Sequence, residues 1–178
     1  MAFSSSKKDL STGVDMGIDY AHHEIHGGSH YNCSKRSILN DTGTLDILIT
    51  TPNTTKWGHM LFDITGSLDT DFELYEASTH TAGTALTCIN NDRNSSNTAG
   101  ISVNESNNDG SDGNLIFEGG FGTDTGGGAT RRVGGGENRG DSEFILKQNT
   151  KYLLRITSNS DLNKVAVAME WYEHTNIS

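Results

Sequence analysis

The segment from His22 to His30 has the residue types of a ligand site. Four histidines and one glutamate fall within this short stretch: His22, His23, Glu24, His26 and His30. Neutral imidazoles and carboxylates are ligands that zinc, nickel or copper accept in proteins. The order does not match HExxH, and in an extended chain His22 and His26 point to one side while His23 points to the other. We therefore expect a subunit interface or a hydrogen-bonding role, with a metal shared between subunits as the alternative.

A second candidate is a basic pair in the glycine-rich part of the chain. Arg131 and Arg132 are adjacent, and a loop that carries them is expected to contact an acidic partner surface. The nearby run Gly119–Asp124 matches the start of a calcium-binding repeat, but it is a single copy and lacks the apolar residue that such a repeat stacks on. We expect a glycine-rich loop there.

No local pattern in the sequence indicates catalysis or a cofactor. The phosphate-binding pattern GxxxxGK[ST] and the nucleophile pattern GxSxG are both missing. Cys33 and Cys88 lie outside any CxxC pair, so we expect reduced thiols. We predict a non-enzymatic protein without a cofactor.

The net charge and the hydropathy of the sequence exclude some classes of binding partner. The 178 residues include 13 Lys and Arg against 23 Asp and Glu, a net charge of −10. Nucleic-acid binding needs clustered positive charge, so we expect no nucleic-acid partner. No apolar run approaches the roughly 20 residues of a membrane span. The first ten residues lack the apolar segment of a signal peptide. We expect a soluble protein that does not insert into a membrane.

The secondary-structure elements that would position the candidate site residues are predicted to be β-strands. Residues 1–44 are polar with scattered apolar positions, which predicts an extended N-terminal arm. A β-sandwich domain is expected from 45 to 178, and it includes a glycine-rich loop region at about 104–142. Trp57–Thr65 and Asp71–Ala77 flank a short loop with glycine and predict a hairpin.

The C-terminal third carries the clearest strand patterns. Strands are predicted at Glu143–Lys147, Lys151–Ser158 and Lys164–Tyr172. In the last of these, one face is predicted to be committed to a core: Val165, Val167, Met169 and Trp171. No window has a convincing helical period. The fold class is therefore all-β, and irregular loops favour a jelly-roll-like β-sandwich with an extended N-terminal arm.

Several stretches resemble those of small tailed-bacteriophage virion proteins. The resembling stretches are His22–Tyr31, Thr51–Met60, Glu73–Glu76, Asn90–Asn97, Ile145–Ser158 and Glu170–His174. They extend over about residues 20–174, and the group is most like head decoration proteins, also called cement proteins. The resemblance implies a β-sandwich that forms a homotrimer on the capsid exterior, is made in the host cytoplasm and clamps neighbouring major capsid subunits.

A different virion role stays open. Trp57, Trp171 and the Asn-rich loops would suit a tail or head-fibre component that binds host-surface glycan, because aromatic rings stack on sugars. An enzyme that uses the histidine cluster or paired carboxylates ranks below both virion roles. The alternative is a structural role, in which both tryptophans anchor the core or a sheet edge.

Overall fold

The structure is a computed structural model, and it describes Ser11 and residues 20–122, 130–131 and 143–175. Within these ranges one helix and twelve strands are present. They are α1 (Tyr20–His26), β1 (His30–Leu39), β2 (Thr44–Thr50), β3 (Lys56–Gly66), β4 (Thr70–Glu76), β5 (Ala82–Ala85), β6 (Ile89–Asn90), β7 (Ser102–Ser106), β8 (Asn114–Phe121), β9 (Thr130–Arg131), β10 (Phe144–Leu146), β11 (Lys151–Ser158) and β12 (Asn163–Thr175). In these ranges, no helix has the length and apolar character of a membrane span.

The strands form two six-stranded sheets whose pairs are all antiparallel. Sheet 1 has the order β10-β3-β12-β1-β6, and β9 also pairs with β3. Sheet 2 has the order β5-β7-β2-β11-β4-β8. The outer strands β8 and β5 are therefore the edges of sheet 2, and β6 and β10 lie at the edges of sheet 1.

The core lies between the two sheets. Sheet 1 contributes Met60, Ile64 and Trp171, and sheet 2 contributes Ile47 and Ile156, all fully buried in one cluster. Each such aliphatic side chain contributes roughly 1.5–3 kcal/mol by leaving water. This confirms the all-β, two-sheet sandwich class. The jelly-roll topology remains a prediction.

The prediction for the last strand is confirmed. Val165, Val167, Met169 and Trp171 all face the core and are at most 1% exposed. Strand β12 is longer than the pattern indicated and pairs with β3 on one side and β1 on the other. A strand with neighbours on both sides holds the centre of sheet 1.

The N-terminal arm predicted for residues 1–44 is wrong over much of its length. Residues 30–39 form β1, which pairs with β12 along its whole length, and β2 already begins at Thr44. The pattern hid this strand because its core-facing positions include Lys35 and Ser37 besides Tyr31 and Cys33. Lys35 is accommodated by an ion pair with Glu105 of β7 in the opposite sheet. Residues 1–10 and 12–19 of the predicted arm lie outside the described residues.

The hairpin predicted from Trp57 to Ala77 is also wrong. β3 belongs to sheet 1 and β4 to sheet 2, so the connection from Gly66 to Thr70 crosses between the sheets. A core-facing alternation looks the same whether the next strand pairs or crosses over, which explains the error. The region at about 104–142, predicted to be a glycine-rich loop, also contains an eight-residue strand, β8, which includes Gly119 and Gly120.

Candidate functional site

Six of the seven histidines gather at one end of sheet 1. His22, His23 and His26 lie on α1, which packs against β1 and β12. The other three are His30 at the start of β1, His59 near the start of β3 and His174 near the end of β12. Antiparallel pairing places the start of β1 and of β3 against the end of β12. The topology therefore collects side chains from distant parts of the sequence.

Four aromatic rings form a row on the outer face of this end, which we call the histidine row: His30, Tyr172, His59 and His174. Tyr172 stacks on His59 with ring centroids 4.6 Å apart, and His59 lies 4.5 Å from His174. His30 stacks on the other side of Tyr172 at 6.5 Å. The row follows from register, because Tyr172 pairs directly with His30 and with His59.

Hydrogen bonds run along the histidine row and end at Glu143. The Nε2 atoms of His174 and His59 lie 2.7 Å apart, and His59 Nδ1 lies 3.2 Å from the Tyr172 hydroxyl. That hydroxyl donates to Glu143 Oε2 at 3.1 Å, and the same oxygen lies 3.5 Å from His59 Nδ1. His174, His59, Tyr172 and Glu143 are therefore joined in one hydrogen-bonded network, and His30 stacks on Tyr172 beside it.

The direction of the hydrogen bond between the two histidines follows from a backbone acceptor. His174 Nδ1 lies 3.0 Å from the carbonyl oxygen of Thr175, which only accepts, so this nitrogen carries a hydrogen. In that tautomer, His174 Nε2 accepts from His59 Nε2, and the Tyr172 hydroxyl donates to Glu143.

The predicted histidine cluster is divided between two environments. His22 and His26 are exposed on α1, one turn apart, with their Nε2 atoms 3.1 Å from each other. His23 is exposed, whereas Glu24 is buried and accepts a hydrogen bond from Ser29. The side chains do not alternate as an extended chain would require, because the segment is helical.

His30 is separated from the α1 histidines by its burial. It is 1% exposed, and its Nδ1 lies 2.6 Å from the side-chain nitrogen of Asn91. It therefore belongs to the histidine row. In the described part of the chain, no group of three or more His, Cys, Asp or Glu side chains is arranged to hold a metal ion.

The predicted basic pair is only partly described. Arg131 lies in β9, where its backbone pairs with Ile64 of β3. Arg132 lies outside the described residues. Their expected contact with an acidic partner surface stays a prediction.

A second feature is a group of exposed apolar side chains on edge strands of the two sheets. Leu115, Ile116 and Phe117 are 45%, 41% and 37% exposed on β8, the outermost strand of sheet 2. The Phe117 ring lies 5.6 Å from that of Phe144 on β10, an edge strand of sheet 1. Ile145, also on β10, is 55% exposed. We call these four exposed residues the apolar edge: Leu115, Ile116, Phe117 and Ile145.

The two tryptophans have different environments. Trp171 is fully buried, and its Nε1 donates to Glu173 Oε1 at 2.9 Å. It offers no surface to a sugar. Trp57 is 38% exposed on β3, directly opposite His174 in the register. It therefore extends the outer face that carries the histidine row.

The spacing of two residue pairs in the sequence is a signal for the histidine row. His59 follows Trp57 by two positions, and His174 follows Tyr172 by two, so each pair shares one face of a strand. Placing the two pairs side by side needs the β3–β12 register, which the sequence pattern alone does not contain.

Comparison of the chain with protein-family models, with curated proteins and with solved structures finds no match.

Proposed function

We propose that this chain is a bacteriophage virion structural protein that decorates the capsid exterior and stabilises it by clamping major capsid subunits, acting as a homotrimer. The sequence resemblance over about residues 20–174 supports a virion role. The all-β sandwich is compatible with the class of protein that the resemblance indicates.

The observation that carries the proposal is the apolar edge. Three consecutive apolar side chains, Leu115 to Phe117, are exposed on an outermost strand of sheet 2, and Ile145 is exposed on β10 at the edge of sheet 1. Exposed apolar edges promote association unless they are protected, and contiguous apolar patches mark interaction sites. We infer that this edge is where copies of the chain contact one another.

The type of contact follows from a bulge in β8. Leu74 pairs with Phe117 and Tyr75 with Leu115, so Ile116 is the additional residue of a β-bulge. A bulge interrupts a regular hydrogen-bonding edge while it presents side chains outward. Contact through the packed side chains of Leu115 to Phe117 is therefore favoured over addition of a neighbour's strand. Since each copy carries a charge of −10, apolar burial has to supply the attraction.

Light scattering coupled to size exclusion tests the trimer. We expect Ile116→Lys to weaken association by about 10- to 100-fold, because burial of one isoleucine contributes roughly 2 kcal/mol. The matched control is Ile38→Lys, which changes an isoleucine on the outer face of sheet 1 that is 60% exposed, against 41% for Ile116. We expect the control to remain a trimer.

Capsid binding tests the second half of the proposal. Purified capsids that lack the protein should bind the wild-type chain and lose most of that binding with Ile116→Lys. A strictly monomeric wild-type chain without affinity for capsids contradicts the proposal. Equal loss in both lysine variants would place the contact elsewhere on the molecule.

Trp57 favours one further candidate, a tail or head-fibre component that binds host-surface glycan. Its exposed indole lies on the same face as the histidine row, where stacking and hydrogen-bonding groups are adjacent. A glycan array with the wild-type chain and with Trp57→Ala tests it. Binding that disappears in the variant supports the receptor role, and no binding by the wild-type chain removes it.

A further inference from the structure

The two cysteines lie side by side, although they are far apart in the sequence. Strand β1 pairs with β6 through Tyr31 with Asn90 and Asn32 with Ile89. The next step of the same antiparallel register places Cys33 opposite Cys88. Each thiol has the largest influence on the pKa of the other, as expected for side chains that lie next to each other.

The position of this pair in the ladder suits a disulfide. The Asn91 amide donates to the carbonyl of His30 at 2.9 Å, which marks His30 and Asn91 as a hydrogen-bonded pair. Hydrogen-bonded and non-hydrogen-bonded pairs alternate along antiparallel strands, so Cys33 and Cys88 form a non-hydrogen-bonded pair. Cα atoms in such pairs lie about 4.5 Å apart, which falls in the range of about 4.4–6.8 Å for disulfides.

The two thiols differ in access to solvent. Cys33 is 1% exposed, whereas Cys88 is partly exposed and borders an open pocket of about 260 Å³. Leu86 and Ala99 line the pocket beside it. A small reagent therefore reaches Cys88 first, and Cys33 reacts only through Cys88.

The two thiols also differ in acidity. The hydrogen bond to Cys33 lowers the pKa of the Cys88 thiol, although burial acts in the opposite direction. The same hydrogen bond and burial raise the pKa of Cys33. Because the thiolate is the nucleophile, this arrangement makes Cys88 the first thiol to attack.

We propose that Cys33 and Cys88 form a dithiol modification site that reacts with low-molecular-weight disulfides, with Cys88 as the attacking thiol and Cys33 as the resolving thiol. The Cys88 thiolate attacks one sulfur of the reagent, forms a mixed disulfide and releases one thiolate. Cys33 loses its proton and attacks the Cys88 sulfur, which releases the second thiolate. The protein loses two electrons and two protons, and the reagent gains them as two thiols.

The product joins β1 to the segment that precedes β6. Such a cross-link closes the long loop between residues 33 and 88 and restricts the unfolded chain, so the oxidised protein gains stability. This inference does not depend on the proposed virion role, because it concerns two residues remote from the apolar edge.

The test uses cystamine, a small dicationic disulfide suited to an acidic chain. We expect the native wild-type protein to lose both thiols and two hydrogens of mass, to retain no adduct, and to yield a Cys33–Cys88 peptide after digestion. Its thermal midpoint should rise by roughly 5–15 °C and return to the starting value after reduction.

Two variants separate the roles of the thiols. Cys33→Ala should stop at a stable mixed disulfide on Cys88, and Cys88→Ala should react at least about tenfold more slowly than the wild type, because Cys33 is buried. A lasting adduct on the wild type, equal rates in both variants, or thiols that react only after unfolding would each overturn the proposal. If a variant does not fold, peptide mapping of the wild-type protein decides.

Discussion

The Arg155 guanidinium donates two hydrogen bonds to the Asp112 carboxylate, from Nη1 to Oδ2 at 2.7 Å and from Nη2 to Oδ1 at 3.0 Å. Its Nε donates to Asp46 Oδ1 at 3.0 Å. The Gly110 amide donates to His80 Nδ1 at 2.7 Å, so the ring hydrogen is on Nε2, which donates to Asp112 at 2.8 Å. Two loops, after β4 and before β8, are thus held on the outer face of sheet 2.

This network predicts a loss of stability in acid. The hydrogen bond from Arg155, with a smaller contribution from His80 and against the effect of burial, lowers the pKa of Asp112. In the unfolded chain an aspartate titrates near about 3.9. The stabilisation is therefore present above about pH 4 and is lost as pH falls through the lower folded-state pKa.

Asp112→Asn tests this acid dependence. We expect the free energy of unfolding at neutral pH to fall by about 1–2 kcal/mol, a modest loss because Asp112 is partly exposed, and to depend less on pH below about 4. Guanidinium unfolding at a series of pH values measures both effects. Asp161→Asn, at an exposed turn, is the control, and an unchanged acid dependence in Asp112→Asn would contradict the assignment.

Tyr152 predicts a loss of stability in alkali. Burial raises its pKa to about 12, and its hydroxyl accepts from the Lys147 amide at 2.8 Å and donates to Glu76 at 3.2 Å. The folded state therefore favours the neutral phenol. Its contribution is complete below about pH 10, the ordinary value, and is lost as pH rises toward about 12.

Tyr152→Phe isolates that contribution. We expect the variant to lose about 1 kcal/mol at neutral pH, because two hydrogen bonds are removed, and to lose less additional stability than the wild type above pH 10. Unfolding measured from neutral to alkaline pH gives the comparison. Parallel curves for the two proteins would exclude this origin, since Tyr31 and Tyr75 are unchanged in both.

The fold could be predicted from the sequence where a strand has one consistently apolar face. Strand β11 matches its predicted bounds, and the four core residues of β12 from Val165 to Trp171 are buried as expected. The prediction was wrong for β1, because Lys35 and Ser37 occupy core-facing positions, and the Lys35 ammonium is accommodated by an ion pair with Glu105 of the opposite sheet. The alternation of apolar and polar residues identifies a strand only where its buried face is consistently apolar. The core-facing side of β1 is only partly apolar.

Much less of the candidate sites could be predicted. His30 was identified as a site residue, but its neighbours in the histidine row come from β3 and β12 and depend on register. The closeness of Cys33 and Cys88 likewise depends on the pairing of β1 with the two-residue β6. Contacts between strands that are distant in the sequence depend on the pairing and register of the whole sandwich. The spacing of residues within one segment therefore does not predict them.

Glu173 predicts a large loss of stability on truncation. Its buried carboxylate accepts from the Gly100 and Ile101 amides and from Trp171 Nε1, each at 2.9 Å. Glu173→Ala leaves these donors without that acceptor, which should lower the free energy of unfolding by about 2–4 kcal/mol. Glu170→Ala, exposed on the same strand, should change it by less than about 0.5 kcal/mol.

Hydrogen exchange distinguishes a local from a global effect of Glu173→Ala. The amides of Gly100 and Ile101 should exchange faster in the variant even under conditions where the rest of the sandwich stays protected. Unchanged protection of both amides would mean that the carboxylate does not hold this loop against sheet 1.

Two adjacent glycines in β8 predict different responses to the same substitution. A Cβ on Gly119 would lie 2.4 Å from the Phe72 ring, which is buried and contacts the rings of Phe117 and Phe121. A Cβ on Gly120 would meet the exposed Asp71 side chain at 2.5 Å, which can rotate away, and the Thr70 backbone oxygen at 3.3 Å, a close contact.

We therefore expect Gly119→Ala to destabilise the fold by about 1–3 kcal/mol and Gly120→Ala to change its stability by less than about 0.5 kcal/mol, because the restriction of the unfolded chain by alanine offsets the close contact with Thr70. Thermal unfolding of the two variants in parallel measures the difference. Since both changes add one methyl group to the same edge strand, strand propensity acts equally on each. Equal midpoints would show that the Phe72 ring has room to move, and the close packing of sheet 2 behind the apolar edge would then be wrong.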